Sequence, residues 1–130
     1  MLKMFRPFTH ALLEQAPRLS ILVGHEPDIP RLMRAGGAGT ICGLANVAPR
    51  LVRALLNPDV TAEDEARIHA VLRLLLAHPF VPAFKAVRSA QTSDTAWRSV
   101  RPPLLPLDDE TCQALVTRWN RTLNEAPTDR

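Results

Sequence analysis

All five glycines of this chain, Gly24, Gly36, Gly37, Gly39 and Gly43, fall inside one 20-residue window. The rest of the sequence is glycine-free and holds ten of the chain's 12 prolines. Glycine lets a backbone turn tightly or approach a neighbour closely, whereas proline interrupts helices. A chain marked this way is expected to hold one short turn-rich segment flanked by proline-bounded helices. Inside the window, Leu19-Ser20-Ile21-Leu22-Val23 is an apolar run closed by Gly24, the pattern of a buried parallel strand. Pro27 and Asp28 suit the start of a helix, Ile29, Leu32 and Met33 give it an apolar stripe, and Gly36-Gly37 stops it. Ala38 to Leu44 reads as a second short buried strand. Strand, helix, strand in this order predicts a parallel βαβ unit with a right-handed crossover.

Helices are expected on either side. Phe8 to Gln15 has Phe8, Ala11, Leu12 and Gln15 on one side, with Pro17 ending it. A helix from Pro49 turns Leu51, Val52, Leu55 and Leu56 inward until Asn57-Pro58-Asp59 breaks it. Thr61 caps the next, which runs to about His78 with Ile68, Val71, Leu72, Leu75 and Leu76 inward. Pro79 and Pro82 then leave only a shorter helix around Phe84, Val87 and Arg88. Residues 93–107 are expected as loop, and a last helix from Asp108 or Asp109 to about Leu123 carries Cys112, Leu115, Val116 and Trp119. The tail from Asn124 is expected to fray.

Composition narrows the function. The net charge is +3, but two of the 16 positive residues are lysine and the arginines are scattered from Arg6 to Arg130. Aromatic residues are 5% and none alternates with arginine, so the footprint of nucleic-acid binding is missing. No apolar run reaches the roughly 18 residues of a membrane span, and Met1 to Pro7 shows no export core. Cys42 and Cys112 form no disulfide framework, which favours a cytoplasmic setting. There is no tyrosine, so any proton relay must use another group.

Three segments, Gly24-His25-Glu26, then Ala35-Gly36-Gly37-Ala38-Gly39-Thr40-Ile41, then Ala45-Asn46-Val47-Ala48-Pro49, resemble the last two barrel strands of the dihydrodipicolinate synthase/N-acetylneuraminate lyase family. Val81-Pro82-Ala83-Phe84-Lys85-Ala86 resembles the start of a C-terminal helix in that family. Arg101-Pro102-Pro103-Leu104-Leu105-Pro106-Leu107 is similar to its connection to the final helix. The resemblance extends over residues 20–122. It implies an α/β fold: the C-terminal part of a (β/α)8 barrel, with two short parallel strands and their helices in residues 1–57. A C-terminal helical segment would fill residues 58–123 and a tail 124–130.

The family's chemistry is a Schiff base between a lysine and pyruvate or a related 2-oxo acid, with no separate cofactor or metal. The bond made or broken next is carbon–carbon or carbon–oxygen. By resemblance, Gly24 lines the keto-acid pocket, the Ile41 backbone carbonyl lies near the bound acid while its side chain stays in the core, and Glu26 touches substrate hydroxyls. The plain alternatives are a strand-to-loop turn at Gly24, and Glu26 serving the helix that begins at Pro27. Lys3, 21 residues before Gly24, is the Schiff-base candidate, although the family's usual residues after that lysine are replaced by Met4-Phe5-Arg6-Pro7. Lys85 falls in the C-terminal helices and is no rival.

The family's threonine-threonine-glycine motif and its catalytic tyrosine have no counterpart in these residues. The chain alone is therefore expected to be inactive and to associate through exposed barrel edges or as a homo-oligomer. The competing reading is a non-catalytic helical interaction module or pseudo-enzyme. Among other residues, His25 with Glu26 shows no metal-ligand spacing with the remaining histidines. Asn46 is expected to cap a helix or fix its loop, Cys42 to be a small buried hydrophobe, and Trp97 and Trp119 to pack. Arg101 is expected to act as a salt-bridged anchor.

Overall fold

The computed structural model describes residues 5–16 and 18–124. Its element order is α1 (Phe5–Gln15), β1 (Leu22–Val23), α2 (Ile29–Arg34), β2 (Gly39–Thr40), α3 (Pro49–Leu55), α4 (Ala62–Leu76), α5 (Phe80–Thr92) and α6 (Asp109–Asn124). Short 3-10 turns at Glu26–Asp28, Gly43–Asn46 and Thr95–Arg98 join them. The two strands pair in parallel, Leu22 opposite Gly39 and Val23 opposite Thr40. This is the expected strand, helix, strand order.

Both strands are shorter than the apolar runs predict. Pairing is extended by Ala38 N–H donating to the Ile21 carbonyl at 2.8 Å and Ile41 N–H donating to the Val23 carbonyl at 3.1 Å. Beyond that, neither strand has another neighbour among the described residues. A sheet of two strands presents open edges, so the ladder stops early. Burial on both faces is corrected for the same reason: Leu19, Leu22 and Ile41 are exposed, and only Val23 of β1 is fully buried. The helix between the strands begins at Ile29 rather than Pro27, because Pro27 sits in the 3-10 turn and Pro30 takes the first helical turn instead.

Prolines mislead once more in the second half. Pro82 does not shorten its helix; α5 runs 13 residues from Phe80. Pro82 lies in the first turn, where its missing N–H has no partner to lose. At the other end Ser93 adopts a left-handed conformation, φ 55°, and closes the helix. Thr61 is the cap of α4 as expected, its hydroxyl accepting from Asp64 N–H at 3.1 Å, with three acids in the first turn to match the helix dipole.

Helices α4, α5 and α6 pack on one another, and α3 with its preceding turn joins them to the strand pair. One core runs through the whole arrangement, from Val23, Ile29 and Leu44 to Ile68, Leu75, Val87, Leu115 and Trp119. On α1 Leu13 packs against the core, and Gln15, expected on the inner side, is exposed. Pro17, which was expected to end that helix, lies outside the described residues, as does most of the tail. No single helix among the described residues is long and apolar enough to cross a membrane.

Candidate functional site

The C-terminal ends of β1 and β2 lie side by side, and Gly24, Glu26 and Ile41 follow these strands there. An atom placed where a Gly24 Cβ would stand lies 3.5 Å from the Ile41 carbonyl oxygen. Nothing in the space or backbone angle at Gly24 demands glycine. A side chain at this position would begin in ordinary contact with the Ile41 carbonyl oxygen. Thr40 Oγ1 donates to the Val23 carbonyl at 2.6 Å and fixes the crossing between the two strand ends. The Ile41 side chain is 75% exposed, so its expected place in the core is corrected. It extends from a strand edge that no other described element covers.

Glu26 is 6% exposed. Its carboxylate accepts from the backbone N–H of Leu44 at 3.2 Å, across the strand pair. The short turn Gly43–Asn46 would otherwise begin with an unpaired donor in the core, since Leu44 is fully buried. Glu26 thereby serves the turn after β2 rather than the helix that follows it in sequence. Asn46 holds the same turn by donating to the Gly43 carbonyl at 3.1 Å, the loop-fixing role expected of it. The Cys42 thiol is partly buried beside Glu26 and Thr40. Burial pushes its pKa up, the Glu26 carboxylate adds to this, and contacts with Ala45 and Thr40 oppose it. At neutral pH it is a thiol, not an activated thiolate.

One constellation escaped the sequence reading. Asp28, almost fully buried, accepts from Arg31 at 2.7 Å and faces His25 Nδ1 at 3.0 Å. His25, Asp28 and Arg31 stand three apart over two successive turns of chain, a spacing that could have revealed them. The anchor expected of Arg101 belongs to Arg98, which donates to Asp109 at 2.6 Å and to the Leu107 carbonyl at 3.0 Å. Arg101 is exposed with no ion pair among the described residues. Trp119 packs in the core, but Trp97 is 42% exposed and carries the Arg88 guanidinium 5.6 Å from its ring centre. Among the described residues no group of three metal-ligating side chains comes together. Lys3 lies outside the described residues.

A parallel strand pair with a helix between its strands places the chain among α/β proteins, a class in which binding sites commonly lie at the C-terminal strand ends. No family model matches the chain. An uncharacterized DapA-like lyase of Chloroflexus aurantiacus is 35% identical over 117 residues, covering 86% of this chain and 38% of the relative. The crystal structure of dihydrodipicolinate synthase from Agrobacterium tumefaciens superposes with a TM-score of 0.78 at 33% identity, over 93% of this chain and 41% of that one. In sequence and in structure, then, the chain resembles the dihydrodipicolinate synthase family, as its motifs imply. It spans about two fifths of each of these relatives.

Proposed function

We propose that the chain is the C-terminal part of a Schiff-base lyase or aldolase barrel, with residues 1–57 supplying the last two strands and residues 58–123 the helical segment behind them. The observation that carries this reading is the opposition of Gly24 to the Ile41 carbonyl at the strand ends. A backbone carbonyl there can accept a hydrogen bond from the N–H of the nitrogen that attacks a bound 2-oxo acid. The substrate is a pyruvate-like acid. Neutral Lys3 Nζ adds to its C2, and the carbonyl oxygen leaves as water with one proton from the amine and one from solvent; the resulting iminium draws electrons from the neighbouring carbon. Glu26, buried and tied to Leu44 through one oxygen, would meet a substrate hydroxyl with its other oxygen only where the substrate enters the strand ends.

In these 130 residues the carboxylate-holding threonine motif and the proton-carrying tyrosine are missing, so the isolated chain binds but does not turn over. The open strand edges suit association with further barrel strands or with a second copy. The DNA preceding Met1 tests this reading. An in-frame stretch encoding threonine-threonine-glycine and a tyrosine-bearing strand supports it. Stop codons in that stretch would overturn it in favour of a non-catalytic helical module, a reading that the continuous packing of α4, α5 and α6 makes the natural rival.

A further inference from the structure

A cavity lies behind the turn Gly43–Asn46, between it and α5, and among the described residues its lining includes none of Gly24, Glu26 and Ile41. It encloses about 370 Å³ and is lined by Phe80, Phe84, Lys85, Arg88 and Trp97, with Gly43 at its edge. The Phe80 and Phe84 rings stand 4.6 Å apart, tilted by 46°. A Cβ on Gly43 would come within 2.8 Å of the Phe80 ring, so glycine at this position admits the ring that forms the cavity wall. Phe80 and Trp97 nevertheless stay half exposed, which leaves aromatic surface facing the open space.

The charges in this cavity are all of one sign. Lys85 donates its ammonium to the Ser99 carbonyl, and Arg88 lies over the Trp97 ring. Neither meets a carboxylate among the described residues, and no acidic side chain lines the cavity. Aromatic walls take up an apolar body, and a guanidinium that meets a ring face and no carboxylate keeps N–H donors for a ligand's carboxylate. We propose that this cavity binds a small carboxylate with an arylalkyl body, the acid on Arg88 and the ring among Phe80, Phe84 and Trp97.

The proposal goes beyond the lyase reading and stands or falls separately from it. The probes are 3-phenylpropionate and its neutral amide, titrated into the full chain and followed by ligand-observed NMR and calorimetry. Saturable binding of the acid is expected, with the amide weaker by roughly tenfold or more, the loss of one charge-assisted contact. Arg88→Gln is expected to weaken the acid by a similar factor and leave the amide unchanged, with circular dichroism reporting that the fold is kept. The acid-against-amide comparison needs no variant, so it decides even if Arg88→Gln unfolds. Equal binding of acid and amide, or no binding of either, would overturn the proposal. So would self-association of the chain that closes the cavity and is not reversed by the acid.

Discussion

The carboxylate of Glu26, just past β1, holds the backbone N–H of Leu44, just past β2, at 3.2 Å in a setting almost closed to water. This bond ties the two strand ends together at the place where the candidate site lies. Glu26→Gln keeps an acceptor oxygen and should unfold at nearly the denaturant concentration of the parent. Glu26→Ala leaves a buried donor unpaired and should cost about 1–3 kcal/mol. Equal stability of all three proteins in urea titrations would show that the bond does not form.

The glycines separate by what surrounds them. A methyl on Gly37 would come within 2.2 Å of Leu32 Cγ, inside the core, so Gly37→Ala should destabilise by about 1–3 kcal/mol through overpacking. Gly24 has room for a methyl, and Gly24→Ala should change stability by no more than about 0.5 kcal/mol. The same methyl covers the Ile41 carbonyl, so trapping of a 2-oxo acid should fall while the melting temperature holds. A Gly24→Ala protein that melts early would place the glycine's role in the turn instead.

Acid should act on α6. Asp108 accepts from Thr111 N–H at 2.7 Å, and this bond holds its carboxyl below the usual range. A lowered folded pKa means that the stabilisation is complete above the unfolded carboxyl value of 3.8 and is lost as pH falls through the folded one. Asp108→Asn keeps an acceptor for the cap but should flatten this share of the acid dependence, read as urea midpoints against pH. An unchanged acid slope in that variant would contradict the assignment.

Alkali should act through Cys42, whose burial raises its pKa from 9.0. The fold holds the thiol proton more tightly than the unfolded chain does. Its contribution is complete below 9.0 and declines as pH rises through the raised value. Cys42→Ala should remove that alkaline decline, and alkylation of Cys42 should lag behind a free thiol at mildly alkaline pH. Labelling as fast as a free thiol would mean the side chain is solvated.

What was legible in the sequence was whatever depends on neighbours along the chain. Thr61 as a cap, the Gly36-Gly37 stop and the strand, helix, strand order all follow from local steric and hydrogen-bonding rules, and all are found. Proline was over-read at Pro82, because the same residue breaks a helix in its middle and suits its first turn. Ile41 was misplaced because an apolar residue on a short strand has an inner side only if something covers it. Glu26 with Leu44 and Arg98 with Asp109 were illegible: each joins residues whose proximity only the tertiary fold creates. The strand-end residues Gly24 and Ile41 enter the proposed site mainly through family resemblance, with the apolar strand that Gly24 closes as the one local signal.

The central claim is that these strand ends belong to a Schiff-base site, and the chain's two lysines make it unusually easy to test. The full chain is incubated with pyruvate, reduced with borohydride, digested and mass-mapped. The account predicts a pyruvate-derived adduct on Lys3, absent from Lys3→Ala and reduced in Gly24→Ala, with Lys85 unmodified. No adduct on folded chain, or an adduct on Lys85 alone, would contradict it.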